Sequence, residues 1–142
     1  MLKSVLILIS VCFPILFGFS QNMDSHLWNN RVVLLFTDSF ENKQFQDQKI
    51  GLLSSKKELL ERKLIVYTIS KDYYQTIFEN QRIPTQKRFY KKYNTDDASF
   101  RIILIGLDGG IKMDTTKFTS PLEIFKMIDQ MPMRQYELQQ NN

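Results

Sequence analysis

Sulfur and imidazole are almost missing from this chain of 142 residues, which holds one cysteine and one histidine. Two cysteines are needed for an internal disulfide, and several thiolates or imidazoles for a structural zinc site, so neither is expected. The lone histidine, His26, stands beside Trp28 and reads as an exposed or edge-packed side chain. Glycine and proline are also scarce, at five and four. There is no Gly/Ser linker, no low-complexity block and no internal repeat, so the length fits one domain. Strong charge of either sign is lacking too: the formal net charge is +4. That permits weak attraction to polyanions but is not the footprint of a dedicated nucleic-acid binder, and no specific nucleic acid is expected as a partner.

The one long apolar run is N-terminal. Met1-Leu2-Lys3 gives a positive start, Ser4 to Phe17 is apolar, and Gly18 and Ser20 place small residues at −3 and −1 before Gln21. This pattern reads as a cleavable signal peptide over residues 1–20 and an exported protein, periplasmic or secreted. A retained anchor is the alternative. The run is shorter than the roughly 18–20 apolar residues that span a bilayer, and Pro14 interrupts it. A lipoprotein is excluded because Val11, not a small residue, precedes Cys12. Cleavage removes Cys12 and Lys3, leaving a domain over residues 21–138 with net charge +3, no thiol and a loose polar tail at 139–142. No membrane span is expected after processing.

Within the domain, Val32-Val33-Leu34-Leu35-Phe36-Thr37 is an unbroken apolar run, as in a strand buried on both faces. From Glu41 to Arg62 the composition is helical. Phe45, Leu52, Leu53, Leu59 and Leu60 are expected to share one face, with Gly51, Ser54 and Ser55 allowing close approach to a sheet. Leu64 to Ile69 is a second strand, completing a βαβ unit. The polar stretch from Ser70 to Ser99 is expected to hold short helices at Tyr73–Asn80 and Thr85–Tyr93. Phe100 to Ile105 is a third strand, followed by Asp108-Gly109-Gly110, the signal of a type I′ hairpin turn, and an alternating strand at Ile111–Asp114. Ser120-Pro121-Leu122-Glu123 spells a capping box with proline at the first helical position. Leu122, Ile124 or Phe125, and Ile128 are expected to face the core, and Pro132 to stop the helix near Gln130. The order β-α-β then β-β-α on one sheet gives an α/β, thioredoxin-like fold: a four-stranded mixed sheet with helices on both faces.

In that layout the active turn follows the first strand, where helix amides stabilise a thiolate. Here the turn is Thr37-Asp38-Ser39-Phe40-Glu41-Asn42, with no sulfur, so thiol–disulfide exchange and thiol peroxidase chemistry are not expected. Asp38 or Ser39 reads as the helix cap. The rival is an enzyme in which Asp38, Ser39 and Arg134 converge in a polar site. Asp108 with the distant Asp114 offers too few oxygens for calcium, and no metal or cofactor is expected. Lys87, Arg88, Lys91 and Lys92 share a helix face among Phe89, Tyr90 and Tyr93, either a solvated face whose aromatics pack inward or a contact suited to phosphate or sulfated polymers. Arg134 and Glu137, three apart, pair if a last turn forms, and Arg134 is expected to clasp the C-terminal segment onto Asp129 or Asp108.

Four motifs carry a resemblance: Trp28-x-x-Arg31; Glu61-Arg62; Gly106-x-Asp108-Gly109-Gly110; and Ile128-Asp129-x-Met131-Pro132-Met133-Arg134-x-x-Glu137. Together they resemble the family called domain of unknown function 4174, across essentially the whole mature chain. The resemblance implies a thioredoxin/peroxiredoxin-like fold and a relation to the C-terminal domains of extracellular sushi-repeat-containing animal proteins. It implies no established activity. The chain departs from the family's pattern at Lys63, where aspartate follows Glu-Arg, and at Leu107, where lysine precedes Asp-Gly. The expectation is therefore a non-enzymatic binding module whose partner is another exported protein or a polyanion.

Overall fold

The computed structural model describes residues 19–140, with side chains from Met23 onward. The expected leader lies outside the described residues except for Phe19 and Ser20, which open the first helix, α1 (Phe19–His26). The chain continues through β1 (Arg31–Thr37), α2 (Lys43–Leu53), α3 (Lys56–Glu61), β2 (Leu64–Ile69), β3 (Tyr73–Thr76), β4 (Ile83–Pro84) and α4 (Lys87–Tyr93). It ends with β5 (Phe100–Ile105), β6 (Ile111–Thr115), α5 (Pro121–Asp129) and α6 (Pro132–Gln140). No described helix is long and apolar enough to cross a membrane.

The sheet has six strands in the order β4-β3-β2-β1-β5-β6, not the four expected. β1 and β2 are parallel, and every other pairing is antiparallel. β3 occupies the first half of the segment expected to be a short helix at Tyr73–Asn80, and β4 follows just beyond it. Tyr73 and Tyr74 are β-prone, and Tyr74 buries itself beside Tyr67 with rings 6.0 Å apart. Pro84 sits in β4 at the sheet edge, where a missing N–H costs no ladder bond.

Alternation along β1 divides the core. Val33 and Leu35 join Phe45, Leu52, Leu59, Ile102, Ile124 and Ile128 under α2, α3 and α5. Val32, Leu34 and Phe36 point to the other face, with Tyr67, Ile69, Phe89 and Tyr90 under α4. All seven residues of β1 are buried, as an apolar run with no polar face requires.

The single helix expected from Glu41 to Arg62 is two. The Ser54 and Ser55 hydroxyls bond back to the carbonyls of Ile50 and Gly51, each 2.9 Å, and the helix breaks there. Only the seven-residue series Phe45, Leu52, Leu59 is buried, whereas Leu53 and Leu60 are exposed. Gly51 faces α5 rather than the sheet: a Cβ there would meet Pro121 Cγ at 3.1 Å. At α5 the capping box forms as expected, with Ser120 Oγ accepting from Glu123 N at 3.3 Å and Glu123 accepting from Ser120 N at 2.9 Å. Leu122, however, is exposed, and Ile124, Phe125 and Ile128 carry the buried face. Pro132 does not merely stop α5. It sits first in α6, where its absent N–H would be unpaired anyway, and the expected loose tail is helical to Gln140.

Candidate functional site

The turn after β1 has its hydroxyls committed locally. Thr37 is fully buried, and its hydroxyl donates to the Ser39 carbonyl while accepting from Ser39 N at 3.2 Å. Ser39 Oγ accepts from Glu41 N at 3.2 Å. The helix cap is neither Asp38 nor Ser39. It is Asn42, whose side chain accepts from Phe45 N at 3.2 Å. No base reaches Ser39 from His26. That ring is buried, contrary to expectation, with Nε2 2.8 Å from the Tyr67 hydroxyl and Nδ1 3.2 Å from Asn30 Oδ1.

Arg134 is at the opposite end of the sheet. It is bound to Glu61, which precedes β2, whereas Asp38 and Ser39 follow β1, the strand that lies parallel to β2. Six residue steps of strand separate those ends by roughly 20 Å. The polar site of Asp38, Ser39 and Arg134 is therefore not assembled.

What Arg134 joins instead is a half-buried ionic cluster. Arg31, the first residue of β1, is 1% exposed, and its guanidinium contacts both Glu137 carboxylate oxygens at 3.3 Å and the Arg62 carbonyl at 2.9 Å. Arg62 forks onto Asp129 at 3.0 and 2.7 Å and lies 4.7 Å from the Phe125 ring. Arg134, 3% exposed, reaches Asp129 at 3.3 Å, Glu137 at 3.2 Å, and both the carbonyl and the carboxylate of Glu61 at 3.1 and 3.2 Å. The expected pairing of Arg134 with Glu137 and with Asp129 is what the geometry has. The pairing with Asp108 is not, because Asp108 binds Lys112 at 2.8 Å.

Burial pushes the Asp129 and Glu137 carboxyls up, and their arginine partners outweigh it. Both end below the ordinary carboxylate range, Asp129 through Arg62 and Arg134, Glu137 through Arg31, Arg134 and Lys63. Arg134 is driven the other way: burial lowers its pKa, and the hydrogen bonds it donates to Glu137 and Asp129 raise it above the usual arginine value. Every basic group here faces a carboxylate. The cluster locks α5 and α6 onto the starts of β1 and β2. Sequence reasoning gave Arg31, Glu61 and Arg62 no role. The signal was present, since an arginine opening a strand that is otherwise entirely apolar needs a buried counter-ion.

The Asp108-Gly109-Gly110 segment makes a five-residue loop, not a type I′ turn. Gly109 alone has positive φ within it, at 75°, and a bulge falls between Leu104 and Ile105. Gly110 N donates to Asp108 Oδ1 at 3.0 Å, and Trp28 N donates to the Leu107 carbonyl at 2.7 Å. Trp28 itself has φ 63° and is 61% exposed. Between this loop and the α5–α6 elbow lies a cleft of about 440 Å3, lined by Arg31, Leu107, Lys112, Met127, Met131 and Met133. Among the described residues no three His, Cys, Asp or Glu side chains gather as a metal site.

Lys87, Arg88, Lys91 and Lys92 are together on α4 and exposed, and Phe89 and Tyr90 pack inward. The helix begins at Lys87, two residues later than the expected Thr85, with Gln86 as its cap residue.

The motif charges that converge at the cluster are those on which the family resemblance rests. The family model described as Domain of unknown function (DUF4174) matches residues 22–137. The chain belongs to that family. No curated protein matches it significantly. Among solved structures, a reduced Plasmodium vivax 2-Cys peroxiredoxin is similar at TM-score 0.57 and 17% identity, over 81% of this chain and 71% of that one. Plasmodium yoelii Prx1a matches at TM-score 0.56 and 14% identity, over 82% and 80%. Plasmodium yoelii thioredoxin peroxidase I matches at 0.55 and 15%, over 81% and 79%. At such identities the likeness shows the fold alone, and that fold of this DUF4174 chain is thioredoxin-like.

Proposed function

We propose that this DUF4174 domain is an exported, non-enzymatic binding module that uses a thioredoxin-like fold as a scaffold. One observation carries the reading: the turn after β1, where such a fold places its thiol, holds hydroxyls already tied to their own backbone and no sulfur. Separation of Ser39 from Arg134 by the length of β1 weighs against a polar catalytic site at that turn. The leader pattern before Gln21 supports export, and cleavage there trims two residues from the start of α1. The processed protein is expected to reduce neither hydrogen peroxide nor a model disulfide above the buffer blank with dithiothreitol as reductant. Turnover that scales with the concentration of the processed, cysteine-free protein would replace the binding-module reading with an enzyme.

A further inference from the structure

Helix α4 is charged against the dipole at its start, although Lys91 and Lys92 stand in its last turn, where the dipole favours them. Lys87 and Arg88 occupy its first turn, the positive end of the helix dipole, and no acid accompanies them. Lys87 with Lys91, and Arg88 with Lys92, are like-charge pairs at the i,i+4 spacing, each mildly unfavourable. Arg31, Arg62, Arg101 and Arg134 each have at least one carboxylate, whereas, among the described residues, exposed Lys57, Lys117 and Lys126 stand singly without one; α4 differs in gathering four cations on one short helix with no acid in it. Among the described residues no ion pair involves Lys87, Arg88, Lys91 or Lys92. A helix face that merely needed solvation would mix signs. Local rules broken without compensation mark places shaped by something other than folding.

The geometry around the helix says what kind of ligand relieves this repulsion. Lys87 and Lys91 border a cleft of about 670 Å3 together with Lys71. Arg88 and Lys92 border another of about 430 Å3. Asp72 and Asp97 line the first cleft, Asp97 being paired with Lys71, and Asp24 lines the second, so cations outnumber acids in both and the four on α4 run as a ridge between them. Little aromatic surface is free on that ridge, where Lys92 Nζ already lies 5.0 Å from the Tyr93 ring. Phe89 and Tyr90 are buried, and Tyr93 is half-buried with its ring 4.9 Å from Phe89. A single-stranded nucleic acid gains much of its affinity by stacking bases on exposed rings, which are lacking between these cations. A linear chain that presents closely spaced anionic groups and no bases meets no such deficit.

We propose that α4 binds a linear sulfated polysaccharide through Lys87, Arg88, Lys91 and Lys92. The inference rests on the binding-module reading and names its partner. Its test uses the purified protein on immobilised heparin with a salt gradient. Retention is expected, and Lys91→Glu/Lys92→Glu should weaken heparin binding by about tenfold or more at low salt. The control Lys43→Glu/Lys112→Glu makes the same change in net charge on α2 and β6 and should elute with the wild type. Glutamates at 91 and 92 pair at i,i+4 with Lys87 and Arg88 but stand at the negative end of the helix dipole, so melting is measured for each variant, and Lys91→Gln/Lys92→Gln provides a neutral second version that should also elute earlier than wild type. Equal elution of the α4 variants and the control would overturn the proposal. So would single-stranded DNA of matched charge competing as well as heparin, which would assign the ridge to nucleic acid. Peroxide turnover by the same preparation would remove the binding-module reading whatever the heparin column shows.

Discussion

Glu137→Ala should lower the unfolding free energy by about 4 kcal/mol, read as a shift in the urea midpoint. Arg31 is 1% exposed, and Glu137 is its carboxylate partner in the cluster. Truncation leaves a buried guanidinium with the Arg62 carbonyl as its remaining acceptor and an Nε already without a hydrogen-bond partner. Arg134 is hurt less, because Asp129 and Glu61 still hold it. Arg31→Met is expected to be milder. It removes the buried charge, while Glu137, with a side chain 17% exposed, keeps Arg134 and Lys63 as partners. A cost for Arg31→Met as large as that for Glu137→Ala would contradict this ordering. The same cluster sets the acid limb. The folded-state pKa values of Glu137 and Asp129 are depressed, so their contribution is complete above the unfolded values of about 4 and is lost as pH falls through the folded ones. Wild-type stability should therefore decline below about pH 4, and Glu137→Ala should decline less steeply over that range.

Leu59→Ala and Leu60→Ala should differ by several kcal/mol although the residues are neighbours. Leu59 is 1% exposed in the cluster beneath α3, and truncating a core leucine costs about 2–5 kcal/mol. Leu60 is 67% exposed, and substitution there should stay within about 0.5 kcal/mol. Similar losses from the two would mean that α3 is rotated relative to the sheet.

That pair also shows what the sequence revealed and what it withheld. The seven-residue spacing of Phe45, Leu52 and Leu59 carried real information, because two helical turns bring residues nearly back into line. Leu53 and Leu60 repeat at the same interval one position on, and hydrophobicity alone does not say which series faces the sheet. The central strand was legible because an apolar run with no alternation leaves no polar face. The box at Ser120 was legible because capping is settled within four residues. β3 and β4 were not, since a half-buried edge strand containing Pro84 has neither a continuous run nor clean alternation. The ionic cluster was half legible. Arg134, Glu137 and Asp129 lie close enough in sequence to be paired by helical spacing. Arg31 and Glu61 meet them only after the sheet brings the starts of β1 and β2 beside α6, and no local rule reports such distant pairing.

The basic helix shows the opposite case. Its four cations were evident from spacing, but spacing left open whether the rings between them stand beside the charges or pack inward. Phe89 and Tyr90 pack inward and complete the core under Phe36, whose ring meets that of Tyr90 at 5.5 Å. Burying those rings contributes more to folding than exposing them would. Half-buried Tyr93, the last ring of that helix, touches a cation, Lys92.

A scaffold without redox chemistry requires that no thiol remain in the finished protein. The direct measurement is the intact mass of the protein recovered from its native compartment, together with a thiol titration under denaturing conditions. A chain beginning at Gln21 with no titratable thiol is the predicted result. A chain that retains Cys12, with one thiol per molecule, would contradict it.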